Sequence, residues 1–279
     1  MGIRSFFHKI KIGFVRAREP SIPFVDAAKY YGNNGEDEFA LMLRSELPSC
    51  EIKRNVVIST DEGNAEIDCL VLYEKKLFAI EVKRWKGSLT EREDGFLQEK
   101  TDRWTGETHK KLHKSPFKQL VRAIYLLRKQ VPVKAWVNAV VFFEDDELES
   151  VSVFSENVWF DRYQDLVAYI RNGGKASFGS YASDFFKKCI SADCLYVKDG
   201  GRFKHCIINR KSLRIENISV EKIVSIRIYH HWSYDELYVK LMDGSEKKLV
   251  LENGKIQVSD NGCISTHALC KLDYIKFGK

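Results

Sequence analysis

The stretch "NAEIDCLVLYEKKLFAIEVKRWKG", residues 64–87, holds two apolar runs joined by the short polar link "EKK". Its patterning predicts strands over 65–73 and 77–84. In the second run Leu77, Ala79, Glu81 and Lys83 fall on one face, and Phe78, Ile80 and Val82 on the other. A link closing as a two- or four-residue turn places Asp68 opposite Glu81, with Cβ atoms about 5 Å apart; an odd-length loop breaks that register. Two opposed carboxylates repel at neutral pH, so a stable fold needs a cation between them, a raised pKa, or open water. A divalent metal resolves the conflict. Hard oxygen ligands in small number suit Mg²⁺, with Mn²⁺ as a substitute, and leave several waters on the ion. The Lys83 amine beside Glu81 is placed to orient a water or to steady charge developing on a phosphorus centre. A Glu-x-Lys pair on a strand is ordinarily a solvated edge, but here the charges interrupt otherwise apolar strands.

Outward from the hairpin, Asn33 and Asn34 as caps and Pro48 as a stop predict a helix over 35–47, with Phe39, Ala40, Leu43 and Leu47 as its apolar stripe. Glu36 lies on that stripe, either answering the helix dipole or reaching a polar site in the core. A strand is expected over 51–59. The segment 85–112 reads as polar, with Gly87, Gly95 and Gly106 as turn markers. After it "SPFKQLVRAIYLLRKQVP" has Ser115 as cap and Pro116 at the first helical position, with Phe117, Leu120, Val121, Ile124 and Leu127 as the buried stripe. "AWVNAVVFF" reads as a buried central strand. A short strand at 151–154 and a helix at 161–171 complete the first domain, and "RNGGKASFGS" marks its end. A helical linker over 181–190 leads into alternating strands, with Asp243-Gly244 as a hairpin signal. The expected organisation is a basic arm (1–18), an α/β (α+β) mixed-sheet domain (19–173) and a β-rich C-terminal domain (180–279).

The net charge of +6 is uneven: residues 100–134 hold ten basic and two acidic side chains, and residues 4–18 five basic and none acidic. Two basic patches on an otherwise acidic body point to an anionic partner. Lys110, Lys111, Lys114, Lys118 and Arg122 are the candidate phosphate contacts, and Trp85, Trp104 and Phe117 are either base-stacking or core aromatics. Seven cysteines and no export signal read as reduced thiols in the cytoplasm. No run reaches transmembrane length. Ile3, Phe6, Phe7, Ile10 and Phe14 at helical spacing fit a basic arm packed on its own domain or on nucleic acid, or a helix lying on a membrane surface. Cys263, His267 and Cys270, with Cys189 and Cys194, match no standard zinc spacing, and His230 and His231 read as strand residues.

In succession, "GEDEFALMLRSEL", "AEIDCLVL", "LFAIEVKRWKGSL" and "SPFKQLVRAI" resemble the motifs of the nuclease-related domain (NERD) family, which is similar to the PD-(D/E)xK nucleases. The resemblance covers residues 33–130. It implies a restriction-endonuclease-like helix, strand, strand, strand, helix, strand core that binds Mg²⁺ and cuts phosphodiester bonds. By matching motifs Glu36 is the acid of the first helix and a further metal ligand, Asp68 and Glu81 are the metal carboxylates, Lys83 is the catalytic lysine and Gln119 positions the site or the substrate. Ser115 departs from the pattern, standing where asparagine is expected. The resemblance implies DNA as substrate and an endonuclease rather than an exonuclease. The alternative is a non-cleaving module that binds nucleic acid or protein on the same fold. The C-terminal domain is left as a contact to nucleic acid, to a second copy or to another protein.

Overall fold

The computed structural model describes residues 3–22, 38–174, 181–198, 202–210, 218, 220–260 and 263–278; for 3–7, 202–205, 220 and 260 it describes the backbone alone. The fold is α+β. The chain divides into two compact units, Tyr31–Ser191 and a second made of Met1–Tyr30 with Ala192–Lys279. The first helix, α1 (Ile3–Arg18), therefore clusters with the C-terminal strands.

In the unit Tyr31–Ser191, a helix α2 over 38–46 precedes β1 (Glu51–Thr60), β2 (Gly63–Tyr73), β3 (Lys76–Lys83), β4 (Gly87–Arg92), β5 (Gly95–Thr101), β6 (Thr108–Lys114), α3 (Pro116–Gln130), β7 (Val137–Phe143), β8 (Leu148–Ser152), β9 (Trp159–Phe160), α4 (Tyr163–Arg171) and α5 (Ala182–Lys188). The main sheet has the order β1-β2-β3-β7-β9, antiparallel from β1 to β3 and parallel from β3 to β9. Its two faces are both covered. Leu70, Leu77 and Ala79 pack against α3 and α5, while Cys69, Val71, Phe78, Ile80 and Val82 pack against α2 and α4. This double burial explains why β2 and β3 read as near-continuous apolar runs.

Tyr73 pairs with Lys76, so the hairpin closes through two residues, Glu74 and Lys75, whose φ values of 45° and 62° match the turn that suits strand twist. The even-length link fixes the expected register, which runs on to Cys69↔Ile80. Helix α3 starts as its sequence demands: Ser115 Oγ accepts from Lys118 N at 3.3 Å and Pro116 occupies the first position. One stripe residue differs. Val121 is 55% exposed, beside Arg122 and Tyr125 on the solvent side, and Ala123 and Leu126 are buried instead.

Segment 85–112 is more ordered than its polarity predicts, folding into a second sheet of order β6-β5-β4-β8. Gly87 makes this possible: its φ is +78°, and a Cβ there would stand 2.3 Å from the Glu99 carbonyl oxygen.

The second unit carries a sheet of β10 (Asp193–Val197), β11 (Arg202–Ile208), β12 (Ile223–His230), β13 (Asp235–Leu241), β14 (Glu246–Leu251), β15 (Lys255–Asp260), β16 (Cys263–Ala268) and β17 (Leu272–Lys276). Their order is β14-β13-β12-β17-β10-β11-β15-β16. Gly244, at φ +84°, turns the chain between β13 and β14. Helix α1 is clasped to this sheet by Arg16. Its guanidinium, 6% exposed, binds both carboxylate oxygens of the fully buried Asp235 and donates to the carbonyls of His231, Tyr234 and Glu252. His230 bridges Asp235 and Asp273, a structural role. None of the seven cysteines is in a disulfide, and among the described residues no three His, Cys, Asp or Glu side chains are grouped to hold a metal. His267 bonds Ser265 Oγ instead.

Candidate active site

The β2–β3 ladder ends at Cys69↔Ile80, one step short of Asp68 and Glu81, which the same register would pair if it ran one step further. Where the next rung would form, Asp68 Oδ2 accepts from the Val82 N–H at 2.8 Å. On the other side of β2, the pairs Arg54↔Cys69 and Val56↔Ile67 bracket Asn55, which faces Asp68. Asn55 is 8% exposed and has φ 47°. Asn tolerates the left-handed region better than most residues, yet holding it there costs free energy that the surrounding ladder must supply. Asp68 thus sits where regular pairing is interrupted on both flanks. No pattern in the sequence marks Asn55 for this position.

Glu81 is buried, 7% exposed, and Lys83 Nζ donates to its Oε1 at 2.5 Å, with the lysine side chain 20% exposed. The chain therefore supplies its own cation to the second carboxylate. Glu81 and Lys83 lie beside Val141 and Phe143 of β7 in the parallel ladder, so both groups are fixed by an interior strand.

Glu36 lies outside the described residues. The described start of α2 stands at the carboxyl end of β3: Glu38 accepts from Arg84 at 2.7 Å, Arg84 Nε lies 3.6 Å from Glu144, and the Glu144 N–H donates to the Lys83 carbonyl. Burial pushes the Glu144 carboxyl above the ordinary carboxylate range, outweighing the opposing pull of Arg84. Gln119 is exposed on the first turns of α3, and among the described residues its side chain makes no hydrogen bond to Asp68, Glu81 or Lys83. The start of α3 still lies near the strand ends, because Phe117 packs on Phe96 and Phe96 on Phe143, the residue beside Lys83.

His113 joins this neighbourhood without having been singled out by its sequence context. It stacks on Trp85 at 4.2 Å and bonds Gln98 through Nε2 at 2.8 Å. Burial, and then the positive charges of Lys111 and Lys83, hold its pKa below the ordinary histidine value. The five candidate phosphate contacts divide between elements. Lys110, Lys111 and Lys114 are on β6, and Lys110 is paired with Glu99. Lys118 donates to the Glu93 carbonyl and Arg122 to the Glu62 carbonyl, both on α3. Trp104 is 97% exposed, whereas Phe117 belongs to the core.

An αβββαβ order, with Asp68 in the middle of β2 and Glu81 and Lys83 at the end of the neighbouring β3, is now in place. Residues 31–144 match the nuclease-related domain family. The match takes in α2, β1 to β7 and α3, and with them all five candidate catalytic positions. No curated protein and no solved structure matches the chain. The nuclease-related domain suggests a nuclease-related function and an interaction with nucleic acid. Among the described residues no helix is long and apolar enough to cross a membrane.

Proposed function

We propose that this protein is a Mg²⁺-dependent phosphodiesterase that cuts DNA internally, with its site at the end of the β2–β3 hairpin. The observation that carries the reading is the placement of Asp68 and Glu81 on one face of neighbouring strands, just beyond the last regular rung, with Lys83 on Glu81. The donor set fits the ion. Two hard carboxylates are each oriented by an N–H donor, Val82 for Asp68 and Lys83 for Glu81, and Mg²⁺ takes one or two carboxylates while keeping several waters. Mn²⁺ suits the same oxygens. When bound, such an ion neutralises charge at the phosphate and acidifies a water.

The chain's own residues then divide the work. The Val82 N–H holds the Asp68 carboxylate in one rotamer. Lys83 holds Glu81 and is within reach of a phosphate oxygen or an attacking water on the same face, where a fixed cation favours the more negative transition state. Glu36 is the further acid in this reading and Gln119 a positioning residue. The unit of α1 and the C-terminal strands adds a contact, to nucleic acid or to a second chain, and no catalytic group. Cysteines held in no disulfide suit the cytoplasm.

The test is nicking of supercoiled plasmid with Mg²⁺ or Mn²⁺ against chelator. Wild type should nick only with metal, Glu81→Gln and Asp68→Asn should not nick, and Lys83→Ala should lose about 10²- to 10³-fold. Nicking undiminished in Glu81→Gln would overturn the assignment. DNA binding without cleavage under any of these conditions would favour the non-cleaving module.

A further inference from the structure

The register of β5 against β6 divides the basic run by face. Phe96↔His113, Gln98↔Lys111 and Lys100↔His109 point to one side of the ribbon, and Leu97↔Leu112, Glu99↔Lys110 and Thr101↔Thr108 to the other. The side-chain contacts agree, since His113 bonds Gln98 and Lys110 pairs with Glu99. The first face is the one that sends Phe96 into the core. There His113 stacks on Trp85, whose ring lies 6.0 Å from that of Phe143, the β7 neighbour of Lys83. Moving outward from Lys83 on this side, the ribbon presents His113 and then Lys111, two residues and about 7 Å further along the strand. Lys100, two pairs further along the ladder on the same face, has Glu147 close enough to act on it. Among the described residues no carboxylate is paired with Lys111.

We propose that this face of the β5–β6 ribbon is the track along which a DNA backbone enters the site, with Lys111 contacting a phosphate near the scissile one. Lys110, on the opposite face and neutralised by Glu99, takes no part. The proposal rests on the nuclease reading of the same site. Lys111 lies on β6, the edge strand of the four-stranded sheet, and an exposed ammonium on a rigid strand is a sequence-independent phosphate contact whose formation releases a counterion. Charge alone treats Lys110 and Lys111 alike; the pleat separates them.

Binding of the full chain to a fluorescein-labelled DNA duplex, read by anisotropy in chelator over a range of salt, separates the possibilities. Lys111→Ala should weaken binding by about 5- to 10-fold and reduce the slope of log affinity against log salt by about one, whatever the sequence of the duplex. Lys110→Ala should stay within about 2-fold. Thermal melts of both variants should match wild type, since both side chains are exposed. Equal losses in the two variants, or an unchanged Lys111→Ala, would overturn the track while plasmid nicking by wild type still supported the nuclease reading. A wild-type chain that neither binds the duplex nor nicks plasmid would remove both.

Discussion

Glu81→Gln in the presence of chelator asks whether the hairpin's charges are balanced inside the chain before any metal arrives. From the two carboxylates alone, repulsion makes either carboxamide neutral or stabilising. The Lys83 contact reverses that expectation for Glu81. Unit charges about 4 Å apart attract by about 4 kcal/mol at an effective dielectric near 20. Desolvation of the buried carboxylate and ordering of the lysine cancel much of this. Breaking a fully buried pair costs about 3–5 kcal/mol, but Lys83 keeps 20% of its side chain exposed and can turn partly to water. A loss of about 2 kcal/mol is therefore expected for Glu81→Gln. Asp68→Asn should stay within about 1 kcal/mol, because a carboxamide oxygen can still accept from the Val82 N–H. The double variant Glu81→Gln/Lys83→Met should recover at least half of the single loss. Urea unfolding at pH 7 with chelator, compared at constant m value, measures all three. Equal or greater stability of Glu81→Gln would refute the reasoning, since it would mean the ion pair does not offset carboxylate burial.

Lys75→Gly should stabilise the Tyr31–Ser191 unit by about 1 kcal/mol in thermal or urea unfolding, because Lys75 holds φ 62° in a two-residue turn where glycine bears no Cβ penalty. Asp235→Asn should cost about 3–5 kcal/mol in the other unit, leaving Arg16 buried without its counter-charge, and limited proteolysis should then release α1. His113 has a folded pKa below its unfolded value of about 6.5, so its contribution is complete above that pH and is lost as pH falls through the window beneath it. Its imidazole titration by NMR should move up in Lys111→Ala and more weakly in Lys83→Ala, following the order of the charges acting on it.

The hairpin was legible because strand alternation with an even-length link, one of the closures the sequence allows, gives the register observed as far as Cys69↔Ile80, and α3 because Ser115 and Pro116 state its start locally. The second sheet was hidden for the opposite reason. β6, "THKKLHK", is exposed on both faces over most of its length, so no apolar alternation marks it, and its order comes from pairing with β5. That hidden pleat is also why the basic run read as one patch, although Lys110 and Lys111 face opposite ways. The docking of α1 rests on a pair separated by 219 residues, Arg16 with Asp235, and long-range ion pairs leave no local signature. Asn55, at φ 47°, stands between the pairs Arg54↔Cys69 and Val56↔Ile67, a place set by strand pairing that its own sequence neighbours do not mark.

The claim that the β2–β3 hairpin is a metal-dependent catalytic centre is tested most directly by soaking crystals of the full chain in Mn²⁺ and locating the ion from its anomalous signal. A single strong peak with ligand oxygens of both Asp68 and Glu81 at about 2.0–2.3 Å, lost in Glu81→Gln, is the result expected. An ion bound elsewhere, or a hairpin that stays metal-free at millimolar Mn²⁺ with Lys83 still on Glu81, would contradict the account.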